Sequence, residues 1–150
     1  MKKKSLIVGV DGSEGSRAAV AEAIDLAGDL DATVTFVFVS KAPLGWLGDP
    51  YYQRVLTGDL AHARQAVAEA VETATKAGID AGAEILEGDP ANELVSLADN
   101  RDADLIVIGS RGHGALAGAV LGSVSQSVSQ HANQPVVVAK QMPARARRVA

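Results

Sequence analysis

Cysteine is absent from the 150 residues. Disulfide staples, thiol catalysis and thiolate metal sites are thereby excluded, and the chain suits a reducing compartment. Aromatics are scarce: one Trp, two Tyr and two Phe leave Val, Ile, Leu and Ala to build the core. Long apolar runs are missing as well. The stretch between MKKK and Asp11 is too short for a signal-peptide core, and nothing approaches the ~20 apolar residues of a membrane span. A soluble, cytoplasmic protein without a membrane partner is expected. Acid is missing from one third of the chain. Residues 1–104 hold nine Lys or Arg against all eighteen Asp and Glu, or −9, whereas residues 105–150 hold five basic residues and no acid, or +5. A basic third suits an anionic ligand, although Lys140, Arg145, Arg147 and Arg148 fit a solvated tail equally well. Nucleic acid is not expected as a partner: the net charge is −4, and the aromatics do not interleave with basic residues.

With 47% hydrophobic and 21% charged residues, a chain of this length forms one domain that buries about two-thirds of its unfolded surface. Residues 1–140 are expected to form that domain. Residues 141–150, with Pro143 and three arginines, read as a disordered basic tail. Short β-branched runs mark five strands, at 5–10, 32–39, 83–86, 105–108 and 135–139. Between them, apolar residues recur at helical spacing: Val20, Ala23, Ile24, Ala27 and Leu30, then Leu60, Ala63, Val67, Ala70, Val71 and Ala74, stopped at Gly78. Leu94, Val95 and Ala98 form a third apolar face after the Asp89-Pro90 cap, and a fourth helix is expected over 123–132. Ser13 is a good N-cap for the first helix. Glu84 and Glu87 mark the third strand as a sheet edge. Residues 40–57 form the longest irregular piece, with Trp46, Tyr51 and Tyr52, and suit either a lid or an apolar plug. Strict β-α alternation implies an open parallel five-stranded sheet with helices on both faces, a Rossmann-like α/β fold.

The chain is organised around Ala103–Ser125, ADLIVIGSRGHGALAGAVLGSVS. A buried strand stops at Gly109. Glycines follow at 112, 114, 118 and 122, and a helix opens near Ser123. Glycine positions let backbone N–H groups approach a bulky ligand, and a helix N-terminus favours anions. Two phosphate motifs are excluded. A P-loop needs Lys directly after its second glycine, and Gly122-Ser123 lacks it. A dinucleotide fingerprint forced onto Gly112-His-Gly114 lacks the ribose-binding acid about 20 residues on.

The spacing Gly109-x2-Gly112-x9-Gly122-Ser123 resembles the ATP-binding signature of the universal stress protein family. The opening LIVGVDGSEGS (Leu6 to Ser16) resembles that family's first strand and turn, and the resemblance extends to Lys140. It implies strand order 3-2-1-4-5, homodimers through the C-terminal edge strand, and a site for ATP and Mg²⁺. The site residues it implies are Val10, Asp11, Gly12, Ser13 and Val39 on one side. On the other stand Gly109, Ser110, Arg111, Gly112, His113, Gly122, Ser123, Val124 and Ser125.

Each of these has a plainer account. Asp11 can bond a ribose hydroxyl or hold Mg²⁺, or simply close its own turn. Val10 and Val39 suit adenine contact or the core. Ser123 can bind phosphate and cap its helix, Ser125 can reach phosphate or ribose, and Arg111 and His113 can face phosphate or solvent. Gly114 and Gly118 can serve loop flexibility alone. His62 and His131 lack a metal partner at helical spacing, so neither is expected to bind metal. Gly12-Ser13-Glu14-Gly15 lacks the frame of a hydrolase elbow. The expectation is an ATP-binding stress-response module with at most slow hydrolysis. The alternatives are a slow ATPase or nucleotidyl-transfer enzyme, and a structural dimer that needs no nucleotide. Valine at Gly109 or Gly122 is expected to weaken ATP binding while leaving the fold intact.

Overall fold

The computed structural model describes residues 2–41, 49–110 and 122–140, with side chains left undescribed over 49–59. Five strands alternate with four helices: β1 (Ser5–Gly9), α1 (Glu14–Leu30), β2 (Thr33–Ser40), α2 (Asp49–Lys76), β3 (Ala81–Glu87), α3 (Pro90–Asn100), β4 (Leu105–Gly109), α4 (Ser123–His131) and β5 (Val136–Ala139). All pairings are parallel, in the order β3-β2-β1-β4-β5. β1 pairs β2 with Leu6 opposite Val34 and β4 with Leu6 opposite Leu105. The chain therefore leaves β1 in one direction through β2 and β3. It then crosses back through α3 to start β4 on the other side, which makes the β1/β4 boundary the switch point where such sheets bind ligands.

Strand alternation sorts the core onto two faces. Leu6, Val8, Val34, Phe36 and Phe38 pack with α1 and α2. Ile7, Val37, Ile106 and Ile108 pack with α3 and α4. Among the described residues, Phe36, fully buried, and Phe38 are the aromatic members of a core otherwise built from Val, Ile, Leu and Ala.

Local signals in the sequence explain most element ends. Ser13 caps α1 by accepting from the Ser16 N–H at 3.2 Å. Asp89 caps α3 by accepting from the Asn92 N–H at 3.0 Å, with Pro90 at the first helical position. Gly78, at φ +80, lets the chain turn after α2. The helix α2 differs from expectation. It begins at Asp49, so 49–57 continue a 28-residue helix and are no part of a long loop. The glycine, proline and aromatic residues clustered over 43–52 read as a loop, while Asp49-Pro50 starts a helix as well as a turn. β3 runs two residues further back and one further on than its apolar centre, because pairing with β2 extends from Ala81 to Glu87. It is an edge strand, as its glutamates imply, and Glu84 pairs with Arg101 of the α3 C-terminus. No helix among the described residues is long and apolar enough to cross a membrane. The tail at 141–150 and the stretch with Pro43, Gly45, Trp46 and Gly48 lie outside the described residues, as do the side chains of Tyr51 and Tyr52.

Phe36→Ala removes a fully buried ring from the layer between sheet and α1/α2. It is expected to lower unfolding stability by about 3–5 kcal/mol in urea titration, with the denaturant slope unchanged.

Candidate functional site

Three chain segments meet beyond the carboxyl ends of β1 and β4. The first is the turn after β1. Asp11 Oδ1 accepts from the Ser13 N–H at 2.9 Å, and Ser13 in turn caps α1. The chain reverses at Gly12, whose φ of +82 only glycine adopts without strain. The turn-closing account of Asp11 therefore holds for this oxygen, and the bond fixes where the carboxylate stands.

The second segment is the end of β4. A Cβ built on Gly109 would lie 2.5 Å from the Gly15 carbonyl oxygen, 2.6 Å from its carbon and 3.2 Å from the Ser16 nitrogen. Backbone meets backbone here. Gly109 is thus required by the packing of β4 against the first turn of α1, and a side chain there disturbs the fold before it meets any ligand. The expectation that Gly109→Val leaves the fold intact is corrected accordingly. Ser110 follows, 7% exposed, with its N–H donating to the Ala139 carbonyl of β5 at 2.8 Å.

The third segment is the start of α4. The N-cap is Gly122 rather than Ser123, which occupies the first helical position. Gly122 has extended backbone (φ −75, ψ 167) and makes no side-chain cap bond, having no side chain to make one. The first helical hydrogen bond runs from the Gln126 N–H to the Gly122 carbonyl at 3.0 Å. By helix geometry the N–H groups of Ser123, Val124 and Ser125 have no partner within the helix. α1 and α3 answer the same need with Ser13 and Asp89; among the described residues no side chain does so for α4.

Ser125 has a structural task. Its side chain is buried, 2% exposed, and its hydroxyl donates toward the Ser110 and Gly122 carbonyls, both at 3.0 Å. The Gly122 N–H also bonds the Ser110 carbonyl. These bonds join the two ends of the 111–121 segment and hold the α4 N-terminus against the end of β4. The single hydroxyl proton is shared between two carbonyls of the chain itself. Arg111, Gly112, His113, Gly114 and Gly118 lie outside the described residues.

Sheet alternation separates the two valines expected near adenine. Val10 packs with the α1/α2 core, whereas Val39 packs on the α3/α4 side together with Leu86, Val124 and Val138. Val39 stands on the same face as α4, and Val10 on the other. A residue the sequence reading passed over shares the face of Val39: a Cβ on Gly9 would lie 3.2 Å from Leu94 Cδ1 and 3.8 Å from Ile108 Cδ1. A glycine inside a strand signals close approach, so Gly9 was discoverable. His62 was also missed. Its Nε2 lies 3.3 Å from the Asp11 carbonyl oxygen, a contact across 51 positions that no local pattern announces.

On the opposite face, α1 and α2 leave a cavity of about 250 Å³, with Val10, Val20, Ala66 and Ala70 on its walls and Arg17 and Glu69 at its rim. It is separate from the α4 N-terminus. Among the described residues, no group of three His, Asp or Glu side chains is placed to hold a metal ion. Asp11 alone supplies a carboxylate at the end of β1. That suits Mg²⁺ only as a cation whose remaining ligands are phosphate oxygens and water.

Residues 3–140 match the Universal stress protein family. The chain is 32% identical to a universal stress protein of Methanocaldococcus jannaschii over 140 residues, spanning 92% of this chain and 82% of the relative. Among solved structures, the universal stress protein UspA of Lactobacillus plantarum superposes with a TM-score of 0.84 at 26% identity, covering 93% of this chain and 99% of that one. The universal stress protein of Archaeoglobus fulgidus, solved in complex with dAMP, superposes with a TM-score of 0.69 at 25% identity, covering 93% and 100%.

Gly109→Ala, in protein free of nucleotide, is expected to cost about 1–3 kcal/mol in chemical denaturation, because backbone has to shift to admit the methyl group. Gly82→Ala serves as the contrast. A Cβ at Gly82 meets nothing within 4 Å, and the change should stay within about 0.5 kcal/mol.

Proposed function

The chain belongs to the universal stress protein family, and from that premise we propose that it is a cytoplasmic ATP-binding regulatory module that holds the nucleotide without fast turnover. The observation that carries this is the α4 N-terminus. It is built on a glycine with no side-chain cap, fastened to the end of β4 through Ser110 and Ser125, and sited beside the switch point. Unpaired N–H groups at the positive end of a helix dipole form an anion site. The Archaeoglobus fulgidus relative, bound to dAMP, supports an adenine nucleotide as the anion.

In this arrangement the phosphates lie on the N–H groups of Ser123 and Val124, with Gly122 allowing backbone approach. The Asp11 carboxylate faces the ribose, or Mg²⁺ bridging the phosphates. The adenine rests on the Val39 side of the sheet, the face that α4 covers. Bound Mg²⁺ would neutralise phosphate charge. Fast phosphoryl transfer needs an in-line nucleophile, a cationic clamp and a water-orienting group beside the metal. The residues nominated here offer one carboxylate, Asp11, and one arginine, Arg111, so hydrolysis is at most slow. The absence of cysteine agrees with a reducing cytoplasm.

The β5 edge carries the second part of the proposal. Val136, Val137 and Val138 are only half-buried in the single chain, and among the described residues one side of the strand has no neighbour in the sheet order. An uncharged apolar edge invites pairing with a second copy, and a homodimer through β5 covers it. Light scattering at micromolar concentration is expected to return twice the 15.4 kDa chain mass; the monomer mass would remove this part.

The nucleotide role is tested by thermal shift and calorimetry with AMP, ATP and ATP–Mg²⁺. Ligand at about 100 times its Kd adds about 2.7 kcal/mol, which raises Tm by roughly 5–10 °C in a chain of this size. Gly122→Val keeps an accessible φ, so it should leave the helical circular dichroism unchanged while weakening nucleotide at least about tenfold, or 1.4 kcal/mol. No shift with any of the three ligands at millimolar concentration would overturn the proposal, and multiple turnovers at ordinary enzymatic rates would replace it with an ATPase.

A further inference from the structure

His62 lies on α2, far from the glycine segment in sequence, yet its ring stands directly over the turn that presents Asp11. Three observations locate it. Nε2 is 3.3 Å from the Asp11 carbonyl oxygen. A Cβ on Gly12 would lie 3.0 Å from the His62 Cε1 and 3.1 Å from Nε2, so the ring fills the space above that glycine. The ring also meets Phe38 edge-on, with centroids 5.6 Å apart and planes at 85°. Phe38 immediately precedes Val39, at the end of β2.

A carbonyl oxygen only accepts hydrogen bonds, so Nε2 carries the proton in this contact. The neutral Nε2–H tautomer and the imidazolium both meet that requirement. The turn is then held from two sides. His62 donates to the Asp11 main chain, and the Ser13 N–H donates to the Asp11 side chain at 2.9 Å. Gly12 has a double reason to be glycine: its φ of +82 and the imidazole above it.

We infer that His62 is a positioning residue for Asp11, clamping the β1 turn from α2 so that the carboxylate is preset for the nucleotide. This rests on the nucleotide-binding role proposed above. His62 packs with the α1/α2 layer, behind the sheet as seen from α4, and acts on the ligand only through Asp11. It also joins α2 to the β1 turn, so that a displacement of α2 is transmitted to the carboxylate.

The test uses the full chain and calorimetric titration with AMP and with ATP–Mg²⁺. His62→Leu keeps apolar volume against Phe38 and removes the donor. His62→Gln keeps a donor at nearly the same reach. Leucine is expected to weaken nucleotide by about 3- to 10-fold, the range of one main-chain hydrogen bond, and glutamine to restore most of it. Asp11→Asn supplies the readout that a packing defect would not move. In that background His62→Leu should change affinity by less than about twofold, because the group it positions no longer contributes its charge. An equal loss in both backgrounds would reduce His62 to packing and overturn the inference, as would wild-type affinity in His62→Leu. If leucine prevents folding, His62→Asn replaces it, being polar but too short to place a donor where Nε2 stands. Failure of the wild-type chain to bind either nucleotide would overturn the nucleotide role and this inference together. Binding by the wild type with no effect at His62 would overturn this inference alone.

Discussion

The contact on which the site depends is backbone against backbone, where Gly109 at the end of β4 meets Gly15 in the first turn of α1. Close packing tolerates no methyl group at that point. Its consequence is geometric. α1 begins immediately after the β1 turn, so the position of its first turn fixes Asp11, Gly12 and Ser13. β4 ends where α1 begins, so Ser110 and everything fastened to it are fixed in the same frame. A wider gap would separate the carboxylate of one half from the helix N-terminus of the other.

From this contact the polar groups build outward in two directions. On the β4 side, the Ser110 carbonyl accepts from the Gly122 N–H and the Ser125 hydroxyl, which brings α4 to the sheet's end although eleven residues separate Ser110 from Gly122. On the β1 side, Asp11, Ser13 and Ser16 form a short chain of bonds, and His62 reaches the same turn from α2. Buried polar groups that are paired stabilise a unique arrangement, whereas unpaired ones cost free energy. The α4 N-terminus is the exception, with no side-chain cap among the described residues.

The two faces of the sheet divide the work. α1 and α2 cover Phe36, Val34 and the alternate residues of β1, and this half holds the turn that carries Asp11. α3 and α4 cover the other set, where Val39, Leu86, Val124 and Val138 remain only partly buried. The structures of universal stress proteins from Lactobacillus plantarum and Archaeoglobus fulgidus superpose on this chain, so the two-faced sheet belongs to the fold.

Local chemistry wrote much of this directly into the sequence. Five β-branched runs, the Ser13 and Asp89 caps, Gly78 and the alternation of strands with apolar helical stripes determine an open α/β sheet, because period, capping and turn preference are properties of neighbouring residues. The glycine spacing and the LIVGVDGSEGS opening point to the family for the same reason. Tertiary structure alone decided what each site residue does. Gly109 is glycine because another backbone passes 109 minus 15 positions away in sequence. Ser125 ties the α4 N-terminus to the end of β4, Val10 and Val39 fall on opposite faces, and His62 reaches the Asp11 turn from a helix that carries no motif. Each of these depends on atoms distant in the chain and adjacent in space, and no local pattern encodes such a distance.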